Sequence, residues 1–218
     1  MSKINTFIFD LDGVITDTAE YHYLAWKQLA DEESLEFDKE LNEDLKGVSR
    51  TDSLQIILKH NNKKITEEEL DDWAERKNSY YVELIKTVRP KDILPGIPEI
   101  LSVLKERKIN IGLGSASKNA VTVLNGLNIL DYFDFIGDGN SVKNSKPAPD
   151  LFLHVAEILN VTPNNCVVVE DAEAGIEAAK KAGMTAVGIG TKEKMHQADF
   201  IYNSPADISI ENLLKKLL

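Results

Sequence analysis

The chain of 218 residues has a single cysteine, which excludes a disulfide framework. Cys166 follows Asn165 and opens a run of valines, where a cysteine usually serves as a small buried apolar residue; a catalytic thiol is the less favoured alternative. No apolar run approaches the roughly 20 residues that a transmembrane helix needs. Met1-Ser2-Lys3 leads directly into a strand-like segment, so we expect no secretory signal. These absences predict a cytoplasmic protein without a membrane partner.

Basic residues are too few to balance the acidic ones. The sequence has 25 Lys and Arg against 36 Asp and Glu, which gives a net charge of −11. Such an acidic chain repels nucleic acids and anionic membranes, so neither is an expected partner. A phosphate-bearing small molecule would need a locally positive site, built from a metal, basic side chains and backbone N–H groups.

Proline is absent before Pro90, and glycine is rare between residues 19 and 87. That stretch is rich in Glu, Lys, Leu and Ala, and its pattern predicts helices at 19–30, 38–45, 52–59 and 66–85. Thr66-Glu67-Glu68-Glu69 has the pattern of a capping box. We therefore predict a helical cap domain over residues 16–90, joined to the rest by two short connections that allow it to move as a lid.

Apolar runs and amphipathic stretches alternate after residue 95, which is typical of repeated βα units. Together with residues 7–9, the predicted strands are 109–114, 135–136, 166–169 and 185–189. The predicted helices are 97–107, 120–127, 149–160, 172–182 and 208–218. The expected fold is α/β, a Rossmann-like parallel-sheet core over residues 1–15 and 91–218 with the all-helical cap inserted.

Two carboxylates follow the first predicted strand, Phe7-Ile8-Phe9, in the segment Asp10-Leu11-Asp12-Gly13. In α/β sheets ligands bind beyond the carboxyl ends of the strands, and side chains two apart point the same way. Gly13 allows a sharp turn. A solvated polar loop is one interpretation of such a pair. The other is a nucleophile beside a general acid/base, with a divalent cation that offsets their repulsion.

Three further segments carry reactive groups after predicted strands. Ser115-Ala116-Ser117-Lys118-Asn119 opens a helix and is typical of a phosphate cradle or of an ordinary N-cap. Pro147 and Pro149 follow Lys146 and would fix the backbone, so that the Lys146 side chain keeps one direction; the alternative is a solvated loop lysine. Glu170-Asp171 offers ligands for a hard cation or a helix N-terminal charge. Because neighbouring parallel strands end at one edge, these groups would meet there, which favours phosphoryl transfer.

Taken together, these motifs resemble the haloacid dehalogenase (HAD) superfamily of phosphotransferases. Residues 10–22, 46–53, 76–78 and 115–119 further resemble the β-phosphoglucomutase family within it. The resemblance spans nearly the whole chain and is least distinctive at its C-terminal end. It implies an isomerase that interconverts β-D-glucose 1-phosphate and D-glucose 6-phosphate through an aspartyl-phosphate and β-glucose 1,6-bisphosphate. It also implies a Mg²⁺ cofactor, a cytoplasmic location and a monomer.

The same resemblance implies a role for each matching residue. Asp10 would be the nucleophile and Asp12 the general acid/base. Mg²⁺ would be held by Asp10, the backbone carbonyl of Asp12, Glu170 and Asp171. The remaining residues would bind phosphate or substrate or act at the hinge: Ser115 and Lys146 at the transferring phosphoryl group; Arg50, Ser117, Lys118 and Asn119 at the distal phosphate; Lys46 and Gly47 near the sugar; Ser53 and Ala116 at the phosphate or substrate without a more specific role; His22 and Lys77 in positioning and proton handling; Thr18 at the hinge. Trp26, Trp73, Tyr80 and Tyr81 are expected to pack the cap core.

Two alternatives stay open at this point. A HAD-type sugar-phosphate phosphatase would share the core motifs, whereas the cap residues Lys46, Gly47 and Arg50 favour the mutase. A non-catalytic sugar-phosphate sensor on the same scaffold would predict damage to the acidic motifs, and all four acidic residues are intact.

Overall fold

A single parallel sheet forms the core of the computed structural model, which describes residues 4–217. The segment Met1–Lys3 and residue 218 lie outside the described residues. The strands are β1 (Thr6–Phe9), β2 (Asn110–Gly114), β3 (Phe135–Gly137), β4 (Cys166–Glu170), β5 (Thr185–Ile189) and β6 (Phe200–Tyr202). Their order is β3-β2-β1-β4-β5-β6, and every neighbouring pair is parallel. The α/β prediction is confirmed.

From β2 to β5 the helices alternate with the strands, β5 and β6 follow each other without a helix between them, and a block of helices lies between β1 and β2. That block contains α1 (Ala19–Glu32), α2 (Lys39–Glu43), α3 (Arg50–His60) and α4 (Glu67–Ile85). The later helices are α5 (Ile97–Glu106), α6 (Ala120–Leu127), α7 (Asp150–Ile158), α8 (Glu173–Lys181) and α9 (Ile210–Leu217). Among the described residues, no helix is both long and apolar enough to span a membrane.

Strand β1 is buried on both faces because its side chains alternate between two apolar layers. Phe7 and Phe9 belong to one cluster, which α5 and α6 cover. Ile8 points to the opposite cluster, where it joins Phe152 and Val155 of α7. This double burial fixes the direction of β1 and hence the place where its two aspartates emerge.

Helices α1 to α4 pack around an apolar cluster of their own, which includes Trp26, Leu54 and Trp73. Thr66 and Glu69 form the capping box expected at the start of α4. The two connections to the sheet run side by side, since the Leu94 N–H donates to the Ile15 carbonyl at 2.9 Å. We propose on this basis that residues 16–90 form a separate cap domain.

Candidate active site

The site lies at the carboxyl edge of the sheet, where β1 runs between β2 and β4. Phe9 is in register with Leu113 on one side and Val169 on the other, so the strands end together. Asp10 therefore emerges beside Glu170, and its N–H donates to the Val169 carbonyl at 2.9 Å. The sheet topology brings together motifs that are far apart in the sequence.

Lys146 is buried at this edge and donates hydrogen bonds to two carboxylates. It is 1% exposed, and its Nζ donates to Asp10 Oδ1 at 2.7 Å and to Glu170 Oε1 at 2.5 Å. Burial disfavours the charged amine, but Asp10 and Glu170 outweigh it and raise the pKa of Lys146. The interpretation as a solvated loop lysine is therefore wrong.

Three carboxylates lie close together at this edge of the sheet. One oxygen each from Asp10, Glu170 and Asp171 lies within 4.8 Å of the others. Burial, together with Glu170 and Asp10, raises the pKa of Asp171 well above its usual range, and burial is the main cause that raises the pKa of Asp10 to about 7. Crowded, desolvated oxygen donors of this kind fit a hard divalent cation such as Mg²⁺.

Two glycines leave room for these carboxylates. Gly13 has a φ of +75°, and a Cβ at this position would collide with the Asp171 carboxylate. A Cβ on Gly175, in the first turn of α8, would collide with the carboxylate of Glu170. The glycines thus shape the acidic group as well as the turns.

The Asp12 side chain lies outside that acidic group and faces the cap. Its Oδ2 lies 3.7 Å from His22 Nε2, and His22 Nδ1 lies 2.9 Å from Lys77 Nζ. Burial and the neighbouring Asp10 raise the pKa of Asp12 to about 8. Burial, Lys77 and Arg50 lower the pKa of His22. The raised pKa of Asp12 favours its protonated form, which is the form that a general acid needs.

Aromatic rings enclose the Lys77 amine, which is 3% exposed and lies 4.8 Å from the Trp26 ring centroid and 4.9 Å from that of Tyr81. Burial and Arg50 lower the pKa of Lys77 to about 7. The Tyr81 ring contacts that of His22, at a centroid distance of 4.1 Å. Within residues 4–217 its hydroxyl has no hydrogen-bond partner.

The prediction that Trp26 and Tyr81 only pack the cap core is therefore incomplete, because both also line the cleft. Tyr81 belongs to the main core cluster, not to that of the cap. A signal was present in the sequence: Trp26 follows His22, and Tyr81 follows Lys77, by one helical turn. The predictions for Trp73 and Tyr80 agree better, since Trp73 lies in the cap cluster and Tyr80 packs against it.

The cap and the core both contribute polar residues to the cleft. Predicted residues that line it are Asp10, Asp12, His22, Lys46, Gly47, Arg50, Ser53, Lys77, Ala116, Ser117, Lys118, Asn119 and Asp171. Asn42, Leu45, Val48 and Asn78 also line it and were not predicted. Asn119 Nδ2 donates to Asn78 Oδ1 at 2.9 Å, which links the core to the cap.

Four predicted residues do not line the cleft. Ser115, Lys146, Glu170 and Thr18 are buried. Ser115 ends up beyond β2, where its Oγ accepts a hydrogen bond from the Ser117 N–H at 3.1 Å. Thr18 directly precedes α1 without a capping hydrogen bond from its side chain, and its hydroxyl has no partner within the described chain.

Comparisons with known proteins agree with this geometry. Residues 4–183 match the haloacid dehalogenase-like hydrolase family. A β-phosphoglucomutase of Bacillus subtilis is 48% identical over 94% of this chain and 92% of its own length. A phosphorylated carbohydrates phosphatase of Thermotoga maritima is 33% identical over 81% of each chain.

A solved structure agrees as well. The crystal structure of a β-phosphoglucomutase from Clostridium difficile is 50% identical and superposes with a TM-score of 0.96, over 98% of this chain and 97% of that one. Sequence, fold and site lead to the same conclusion: the chain belongs to the haloacid dehalogenase-like hydrolase family.

Proposed function

We propose that this protein is a β-phosphoglucomutase, an isomerase that interconverts β-D-glucose 1-phosphate and D-glucose 6-phosphate. The observation that carries the proposal is that Asp10 lines the same cleft as the basic and amide side chains of Arg50, Lys118 and Asn119. Asp10 and Lys146 lie at the sheet edge, while Arg50 and residues 117–119 line the same cleft. A bisphosphate has two phosphates to hold, whereas a hydrolase needs a single phosphate site.

In the first half-reaction, a carboxylate oxygen of Asp10 attacks the phosphorus of the bound bisphosphate. A P–O bond forms to Asp10, and the bond from phosphorus to the sugar oxygen breaks. Asp12 gives its proton to that leaving oxygen. Lys146, which donates a hydrogen bond to Asp10, would stabilise the negative charge of the transferring phosphoryl group. Ser115 is the proposed second ligand of that group.

The second half-reaction reverses these roles. The other hydroxyl of a sugar monophosphate attacks the aspartyl-phosphate, and Asp12 takes the proton from that hydroxyl. This second step forms β-glucose 1,6-bisphosphate, which is therefore both primer and intermediate. It must then turn around so that Asp10 attacks its other phosphate in the next first half-reaction. Arg50, Ser117, Lys118 and Asn119 would hold its distal phosphate, and Lys46 and Gly47 would face the sugar. Ser53 and Ala116 line the same cleft and would contact the substrate.

A Mg²⁺ ion held by Asp10, Glu170, Asp171 and the Asp12 carbonyl would neutralise charge on the transferring phosphoryl group. Hydrogen bonds from the protein itself hold the Glu170 carboxylate in place. Its Oε2 accepts a hydrogen bond from the Ala172 N–H at 2.8 Å. That bond and the one from Lys146 fix both oxygens of the carboxylate.

Water must be excluded, because it would hydrolyse the aspartyl-phosphate. The cap covers the cleft, and contacts to both phosphates would hold it closed. Thr18 at the start of α1 is the proposed hinge residue, and His22 with Lys77 would orient Asp12 from the cap side. A monomeric state and a cytoplasmic location remain predictions.

One assay separates the mutase from a sugar-phosphate phosphatase. The purified protein is incubated with β-glucose 1-phosphate, Mg²⁺ and a catalytic amount of β-glucose 1,6-bisphosphate, and both products are measured. We expect glucose 6-phosphate in large excess over free phosphate. Release of free phosphate as the main product would instead identify a phosphatase, as in the relative from Thermotoga maritima.

A further inference from the structure

Arg50 is held in place by the neighbouring helix α4. It is the first residue of α3, and its Nη1 donates to the Ala74 carbonyl at 3.3 Å and to Glu75 Oε2 at 3.1 Å. Both hydrogen bonds use the same nitrogen. Within residues 4–217, Nε and Nη2 donate to no acceptor, so one edge of the guanidinium stays available to a ligand in the cleft.

Among the described residues, the Glu75 side chain forms one other hydrogen bond, which Asn78 donates. Its side chain is 74% exposed, whereas that of Arg50 is 17% exposed. Exposed ion pairs stabilise folded proteins very little, so stability does not explain this pair. One turn further along α4, Asn78 lies 3.5 Å from Glu75 and accepts the hydrogen bond from Asn119 of the core. Glu75 thus contacts Arg50 directly and is linked through Asn78 to Asn119, another proposed ligand of the distal phosphate.

We propose that Glu75 is a positioning residue for the distal phosphate, an inference that rests on the proposed function. Glu75 and the Ala74 carbonyl hold Arg50 by Nη1, so that its free Nε–Nη2 edge faces the phosphate. An arginine side chain has many rotamers, and a guanidinium that is already oriented loses less freedom when it forms two parallel hydrogen bonds.

The charge of Glu75 acts in the opposite direction, because a carboxylate near the cleft repels a phosphate. Two substitutions separate the effects. Glu75→Gln keeps an oxygen that accepts the Arg50 hydrogen bond but removes the charge, whereas Glu75→Ala removes both. If positioning dominates, Ala weakens substrate binding and Gln restores it.

The test measures kcat and KM for β-glucose 1-phosphate at saturating bisphosphate. We expect Glu75→Ala to raise KM about three- to five-fold, the effect of one exposed ion pair, with kcat within about two-fold. Glu75→Gln should have a KM close to that of the unmodified protein. Glu83→Ala is the matched control, since Glu83 lies on the same helix and pairs with Lys86 at 2.5 Å. It should change neither constant.

A double-mutant cycle shows whether the effect passes through Arg50. In an Arg50→Ala background, Glu75→Ala should have no further effect on KM. An unchanged or lower KM in Glu75→Ala would overturn the proposal, as would a full effect without Arg50. Calorimetric titration with glucose 6-phosphate, without bisphosphate, measures the dissociation constant of a sugar phosphate for the same variants without turnover. If the unmodified protein lacks mutase activity, the proposed function fails, yet this titration still tests Glu75.

Discussion

At the scale of single residues, the site places charged groups where burial opposes their charge. Lys77 is the clearest case, because its amine lies between Trp26 and Tyr81 and contacts His22. Arg50 repels it, and Asp12 attracts it. Such a lysine costs stability when protonated, which is consistent with the role proposed for Lys77 at the site.

This cost predicts an unusual pH dependence of stability. The pKa of Lys77 is lowered to about 7 in the folded protein, so between pH 7 and its ordinary value the unfolded chain binds one more proton. The free energy of unfolding should then rise with pH, by up to about 1.4 kcal/mol per unit. We expect Lys77→Met to remove about 2 kcal/mol of the gain between pH 7 and 9 in urea denaturation.

Lys59→Met, which removes an exposed lysine of the cap, is the control for that experiment. It should leave the difference between pH 7 and 9 unchanged. Equal pH profiles for Lys77→Met and the unmodified protein would show that the amine is not strained by burial.

Sequence patterns found the polar residues of the site more readily than the aromatic ones. Asp10 and the Glu170-Asp171 pair stand out because charged residues directly after apolar strands need an explanation, and Lys146 stands out because prolines follow it at 147 and 149. Tyr81 does not, since a tyrosine on an apolar helix face has the same pattern whether it lies under a core or beside a cleft. Only tertiary packing tells which ring edge faces the ligand.

At the scale of elements, helix α8 shows how local structure serves the site. Gly175 lies in its first turn, where alanine would favour the helix by about 1 kcal/mol. The Cβ would, however, displace the Glu170 carboxylate. We expect Gly175→Ala to stay folded by circular dichroism and to lose about 100-fold in kcat/KM.

Gly183→Ala provides the matched control near the other end of α8. Its φ is +73°, and a Cβ there would meet no atom within 4 Å. This variant should lose about 1 kcal/mol of stability through backbone strain and keep its activity. Equal losses of activity in the two variants would indicate a general effect of helix distortion.

Most elements were predictable from the sequence, and the exceptions have physical causes. Helix α3 begins at Arg50, earlier than predicted, because the Ser49 side chain caps it by accepting the Asp52 N–H at 3.2 Å. Strand β6 was not predicted. It is short, lies at the sheet edge and is only half-buried, so its pattern is too weak to separate it from a loop.

At the scale of the whole molecule, an acidic protein concentrates buried carboxylates at one edge of its sheet. Asp10, Glu170 and Asp171 repel one another, and Lys146 offsets only part of that charge. Cation binding should therefore stabilise the fold. We expect Mg²⁺ at about 100 times its Kd to raise the free energy of unfolding by about 2.7 kcal/mol, measured by urea denaturation.

A chelator should reverse this stabilisation and abolish turnover together. Asp171→Asn, which removes one charge of the group, should respond far less to Mg²⁺. A Mg²⁺ response of equal size in both proteins would place the cation elsewhere.

The proposed mechanism requires that Asp10 itself carries the phosphoryl group during turnover. Mass spectrometry of protein quenched in acid during turnover, followed by peptide mapping, measures this modification. We expect one added phosphoryl group on the peptide that contains Asp10, labile to hydroxylamine and absent from Asp10→Asn. An Asp10→Asn protein that keeps full turnover, or a label on any other residue, would contradict the mechanism.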